Sequence, residues 1–274
     1  MNFTKMQGAG NDFIIIDNRE NVIPVSAYVK TAQDLCRAKF SIGADGLILV
    51  EKSTEADFKM VFINSDGSYA NMCGNGARCV AYFAFTNKIA GETMVFETGA
   101  GPIKASVNGT EVRINLTKPK DIKLDMNLNI ENRAIDISSV NTGVPHVVIL
   151  TSDVDNVDVA GLGRTIRNHR QFGPEGTNVN FIKVIDEHSI KIRTYERGVE
   201  AETYACGTGA VASAVIAGLK QLVTSPVKLT TTGGELLTVY FKYGKPGDTA
   251  MPVAEVELEG KVAVTFKGTL ETQK

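Results

Sequence analysis

The alternation of apolar and polar residues divides the chain into many short strands and few helices. Alternation of apolar and polar residues marks FKMVFIN (Phe58 to Asn64) as a strand, which IKIRTYE (Ile190 to Glu196) matches. Helical stretches are predicted over Arg78 to Asn87 and over Val211 to Lys220. The second of these, from Ala210 to Leu219, carries almost no charge, which suits a helix enclosed by sheet on most sides. Each helix is followed by a glycine turn and two β-rich segments. In the first half these are GAGPIKASV and TEVRINL, around the hairpin signal Asn108-Gly109. In the second they are GGELLTVYF and VAEVELEG, joined by the loop YGKPGDTAMP. At the front of each half a glycine-bearing turn runs into an apolar strand, MQGAGNDFIIID and NTGVPHVVIL.

This order of elements is written twice. The motif NMCGNGAR holds Cys73 and YACGTGA holds Cys206, 206 − 73 = 133 positions apart. DGLILVE, from Asp45, matches TNVNFIKV, from Thr177. The two alternating strands end 196 − 64 = 132 apart. The expected fold class is therefore α/β, with two pseudo-symmetric domains, each a mixed, mostly antiparallel sheet and a central helix. The join falls near Thr117-Lys118-Pro119-Lys120. It gives an N-terminal half over 1–117 and a C-terminal half over 118–262, with the last strand, VAVTFKGTL, returning to the first half (263–274).

The repeated cysteine is where chemistry enters. Each stands where a glycine-rich turn opens a helix, beside unpaired backbone N–H groups and the positive end of the dipole. That setting favours the thiolate. The N–H groups of Gly74, Asn75 and Gly76, and of Gly207, Thr208 and Gly209, form anion sites that a carboxylate would suit. If the halves face each other across a pseudo-twofold axis, two thiols flank one α-carbon. One removes a proton and the other delivers one to the opposite face. Cys36 and Cys79 fall within helical stretches and read as core. Asn64, Glu196 and Arg197 stand at strand ends on the side expected to face the cleft.

Composition removes rival classes. With 43% hydrophobic and 22% charged residues and a net charge of −2, the 274-residue chain is ordinary globular protein, with no reason to expect nucleic acid. Its longest apolar runs are too short to span a membrane. MNFTKMQGAGND carries no apolar signal region, so a cytoplasmic protein is expected. No Cys-X-X-Cys pair accompanies the three scattered histidines, so no metal site is expected. MQGAGND lacks the pattern of a nucleotide-binding loop. A redox role for facing thiols overlaps with the acid–base one.

MQGAGNDF, INSDGSYANMCGNGAR, GVPH, EGTNVNF and YERGVEAETYACGTGA occur in the order of the diaminopimelate epimerase family, which this chain resembles from end to end. The resemblance implies interconversion of LL- and meso-diaminopimelate, on the path to lysine and peptidoglycan, without a cofactor and by a homodimer. It implies sheets wrapped around the central helices. Cys73 and Cys206 would be the acid–base pair, supported by His146 and Glu196. Asn11, Asn64, Asn178, Glu196 and Arg197 would hold the small amino-acid substrate, and the amides of Gly74, Asn75, Gly207 and Thr208 its reacting carboxylate. The chain departs from the family at Val144, where many members have asparagine, and at Gly46, where some have glutamine. RGVEAETYAC is one residue longer than the commoner form. A racemase of another amino acid, such as histidine, is the alternative that Val144 keeps open.

Overall fold

The computed structural model describes residues 1–130, 133–245 and 252–271. Two compact units emerge, Met1–Ile114 with Gly260–Lys274, and Asn115–Glu259. The loop expected over YGKPGDTAMP lies in large part, at 246–251, outside the described residues.

In the first unit the strands are β1 (Asn2–Gly8), β2 (Asn11–Asp17), β3 (Gly46–Glu51), β4 (Phe58–Asn64), β5 (Tyr69–Ala70), β6 (Thr93–Thr98), β7 (Gly101–Asn108) and β8 (Glu111–Asn115). Ala9 and Gly10, both at positive φ, make the tight turn that pairs β1 with β2. β2 and β3 run parallel, β3 and β4 antiparallel, and β4 and β6 parallel. The hairpins β6–β7 and β7–β8 are antiparallel, the second turning at Gly109 as Asn108-Gly109 predicts. Two helices serve this sheet: α1 (Tyr28–Cys36) and α2 (Gly74–Thr86).

The second unit repeats the plan with β9 (Lys120–Ile130), β10 (Arg133–Asn141), β11 (Pro145–Leu150), α3 (Val159–Arg167), β12 (Asn178–Asp186), β13 (Ser189–Glu196), β14 (Ala201–Thr203), α4 (Gly207–Leu219), β15 (Val227–Thr230), β16 (Leu236–Tyr243) and β17 (Val253–Lys261). β11–β12 and β13–β15 are parallel, while β9–β10, β10–β11, β12–β13 and β15–β16 are antiparallel. The final strand, β18 (Ala263–Thr269), pairs antiparallel with β1, the place that β9 takes beside β10 in the other unit.

The central helices differ from amphipathic surface helices because sheet covers them all round. Every residue of α4 from Gly209 to Gly218 is buried, and the helix packs on β10, β11, β12, β13, β15 and β16. α2 likewise packs on β1, β2, β3, β4 and β7. The sheet's other face carries a second core in each unit. Ile14, Ile16, Leu47, Leu49 and Ile63 meet Tyr28, Ala32 and Cys36 of α1. Val147, Ile149, Val179, Phe181 and Tyr195 meet Val159 and Ile166 of α3. The pattern named no helix over Val159–Arg167. Its two glycines weaken the local signal, and the helix is held instead by tertiary packing and by its cap, with Gly161 N donating to Asp158 Oδ1 at 2.9 Å.

Both central helices also begin four residues earlier than the apolar periodicity indicates. The glycines of CGNGA and CGTGA, poor helix formers, form the first turn itself.

Candidate functional site

Strand register decides which side chains gather at each helix start. Because side chains alternate across a strand, the residues between those of the outer core face the central helix. In the first unit these are Phe13, Gly46, Ile48, Phe62 and Asn64. In the second they are His146, Asn178, Asn180, Thr194 and Glu196. Register aligns Phe13 with Gly46 and Gly46 with Asn64, and likewise His146 with Asn178. Asn11, Asp45 and Asn64 thus reach one sheet end in the first unit, and His146, Asn178 and Glu196 the corresponding end in the second.

Cys73 is the N-cap residue of α2, in an extended conformation, and its Sγ accepts from Gly76 N at 3.5 Å. Asn75 lies in the first turn and is buried. Its Nδ2 donates to Asn11 Oδ1 (2.7 Å), Asn11 Nδ2 donates to Asp45 Oδ2 (2.8 Å), and Asn75 Oδ1 accepts from the buried Arg78 (2.6 Å). Arg78 also donates to Gly74 O at 3.3 Å. Asn64 joins no part of this chain of bonds; its amide donates to Ser68 Oγ at 2.9 Å. Gly46 is glycine for a steric reason, since a Cβ there would run into the Phe62 ring.

Cys206 is the N-cap residue of α4, its Sγ 3.5 Å from Thr208 Oγ1. Glu196, at the end of β13, takes hydrogen bonds from Thr203 Oγ1 (3.0 Å) and from the Cys206 thiol. Burial raises the Glu196 carboxyl above its usual range, and these two donors partly offset that. Asn178 Oδ1 accepts from Arg197 N at 2.9 Å, and its Nδ2 donates to Pro145 O at 3.0 Å. His146 is fully buried, which pushes its pKa down to about 3, with the Arg197 charge acting in the same direction. Its Nδ1 lies 3.1 Å from Asn180 Nδ2. Gly207 and Thr208 form the first turn beside Cys206, and the Thr208 carbonyl accepts from Thr142 Oγ1 at 3.1 Å.

The other two cysteines are core. Burial pushes the Cys36 thiol up to about 12 and raises that of Cys79 as well. None of the four forms a disulfide. Among the described residues no cluster of His, Cys, Asp and Glu is placed to hold a metal, and no helix is long and apolar enough to cross a membrane. An open cavity of about 480 Å³, bounded by Asn2, Asp17, Asn87 and Lys267, includes none of the motif residues.

Sequence reasoning missed Asp45, Arg78, Asn180, Thr194 and Thr203. Asn180 had a signal: in TNVNF it stands two residues from Asn178, on the same strand face. Arg78, within CGNGAR, read as a helix residue; its burial depends on the enclosing sheet.

A family model described as diaminopimelate epimerase matches residues 3–122 and 138–255. A diaminopimelate epimerase of Aquifex aeolicus is 44% identical over 100% of this chain and 99% of its own length. That of Archaeoglobus fulgidus is 43% identical over 85% of this chain and 87% of its own. Among solved structures, a PhzF-family phenazine biosynthesis protein of Bacillus anthracis superposes with a TM-score of 0.74 at 15% identity, covering 99% of each chain. A probable proline racemase from Agrobacterium radiobacter gives 0.72 at 13%, covering 99% of this chain and 93% of that one. At such identities these two matches speak for the fold alone. The sequence matches, spanning both cysteine motifs, go further: this chain belongs to the diaminopimelate epimerase family.

Proposed function

We propose that this enzyme is an epimerase that interconverts LL- and meso-diaminopimelate by two-base proton transfer through Cys73 and Cys206. The observation that carries the reading is the repetition: two units with the same strand order each set a cysteine at the N-cap of an enclosed helix. A thiolate at one cap removes the α-proton, leaving a carbanion whose charge spreads into the carboxylate. The thiol at the other cap delivers its proton to the opposite face. One turnover leaves the first sulfur protonated and the second as thiolate, so atoms and charge balance and no cofactor is called for. The amides of Gly74 and Asn75, and of Gly207 and Thr208, supply N–H groups for the carboxylate charge, which grows in the transition state. Glu196 accepts the Cys206 hydrogen bond and is suited to take up that thiol's proton. Asn11, Asn64, Asn178 and Arg197 are the reading's substrate-holding residues, and His146 its further support. A homodimer in the cytoplasm, feeding lysine biosynthesis, completes it; light scattering on the purified enzyme tests the dimer.

Family membership favours diaminopimelate over histidine as substrate. The test is incubation of LL-diaminopimelate with reduced enzyme in deuterium oxide, without added cofactor. Uptake of one deuterium with appearance of the meso isomer is expected. No uptake by folded, reduced enzyme, or uptake into histidine instead, would overturn the substrate.

A further inference from the structure

Under the first turn of α4, three side chains from three neighbouring strands form a hydrogen-bonded polar set. Asn180 Nδ2 donates to the Val147 carbonyl at 2.9 Å and lies 3.1 Å from His146 Nδ1, while its Oδ1 accepts from Thr194 Oγ1 at 3.0 Å. Asn180 and His146 are fully buried and Thr194 nearly so. The Val147 carbonyl can only accept, so the Asn180 atom facing it must be nitrogen, and the amide has one orientation. One amide hydrogen goes to Val147 and the other points to the histidine. An N–H cannot face an N–H, so His146 Nδ1 carries a lone pair and the ring proton resides on Nε2. Burial keeps the ring uncharged. Nε2 has no hydrogen-bond partner among the described residues, although buried donors are rarely left without one.

The first unit argues against a merely structural role. At the repeat spacing, His146 corresponds to Phe13 (146 − 13 = 133) and Asn180 to Ile48 (180 − 48 = 132). There the same topology is built with an apolar floor: a Cβ on Gly76 would meet Ile48, Met60 and Phe13, where one on Gly209 would run into Asn180 Oδ1. The fold does not need a polar floor, yet one unit has it.

We infer that Asn180 is a positioning residue that locks His146 as its neutral Nε2–H tautomer, so that His146 serves the reaction as a hydrogen-bond donor to developing negative charge and not as a proton acceptor. The inference rests on the epimerase reading for the reaction, though the tautomer stands on geometry alone.

The tautomer is read directly from long-range proton–nitrogen NMR correlations of enzyme labelled with ¹⁵N-histidine. The chain has three histidines, and His169→Gln and His188→Gln assign the other two. The expected His146 pattern is Nε2–H, unchanged between about pH 5 and 9. An Nδ1–H pattern, or titration in that range, would overturn the lock. In Asn180→Asp the carboxylate cannot donate, so the ring proton should move to Nδ1 and kcat should fall about tenfold or more, with a smaller change in KM. A flipped tautomer with undiminished kcat would overturn the role in the reaction. If Asn180→Asp does not fold, Asn180→Ala, which removes the donor, should give mixed tautomers and an intermediate loss. An unchanged ring pattern there would overturn the lock. Wild-type enzyme inactive as an epimerase would sink the reaction reading, while the spectrum separately decides the lock.

Discussion

The two helix starts share one backbone plan and differ in what surrounds it. Around α2 the polar groups belong to the helix and the sheet end: Arg78 and Asn75 of the helix join Asn11 and Asp45 in a chain of hydrogen bonds, while Phe13 and Ile48 lie against Gly76. Around α4 the polar groups lie beneath and beside it, with Asn180, His146 and Thr194 below and Glu196 next to the thiol. A repeat constrains strand order and cap geometry, because those bury the helix and satisfy its backbone. It leaves side-chain chemistry free wherever a polar group can be satisfied locally. Similar thiols can thus have different neighbours.

The largest effect should come from the caps themselves. Cys73→Ser and Cys206→Ser should each lower kcat by about 10²–10⁴-fold, while Cys36→Ser and Cys79→Ser stay near wild type. Comparable losses in all four variants would mean that folding, and not proton transfer, was being measured. Next comes Glu196→Gln, which removes the carboxylate beside Cys206 but leaves a group that can accept a hydrogen bond. A loss of about 10–100-fold is expected, smaller than the roughly 10²–10⁴-fold of a group that transfers the α-proton itself. Solvent exchange of the substrate α-proton, measured from each stereoisomer, should be affected unequally; an equal loss in both directions would remove the asymmetry drawn from the two neighbourhoods.

The contrast between floors predicts opposite outcomes for one substitution. Gly209→Ala should destabilise by about 1–3 kcal/mol, because the new methyl meets a hydrogen-bonded amide that cannot yield. Gly76→Ala meets the far ends of Ile48 and Met60, and the gain of about 1 kcal/mol in helix propensity offsets the crowding. Urea denaturation of the two variants gives the comparison directly. Equal costs would mean that the floors are equally rigid.

The smallest effect is a slope. His146 has its pKa lowered from 6.5 to about 3, so the unfolded chain binds its proton first as pH falls. The stability tied to the neutral ring is complete above about pH 6.5 and is lost on going down towards 3. One such proton contributes at most about 1.4 kcal/mol per pH unit. His146→Asn should flatten the urea-midpoint profile between pH 6 and 4 by up to that amount. An unchanged slope would mean that His146 titrates normally.

Sequence alone carried the order of strands, the repeat, the two cysteines at helix starts and the resemblance to the epimerase family. Alternation in FKMVFIN and IKIRTYE, and the uncharged run in α4, are properties of near neighbours in the chain, and local geometry turns them into elements. Other features waited on tertiary structure. The glycines of CGNGA gave no sign of belonging to a helix, because the surrounding sheet, not propensity, stabilises that first turn. α3, with two glycines, was invisible for the same reason. Arg78 read only as a helix residue, and its complete burial came with the enclosing sheet. Most plainly, Asn180 reaches a histidine 34 positions away because β11 and β12 pair in one register. A shift of that register by one residue would have turned its amide to the outer core, because strand side chains change face at every step.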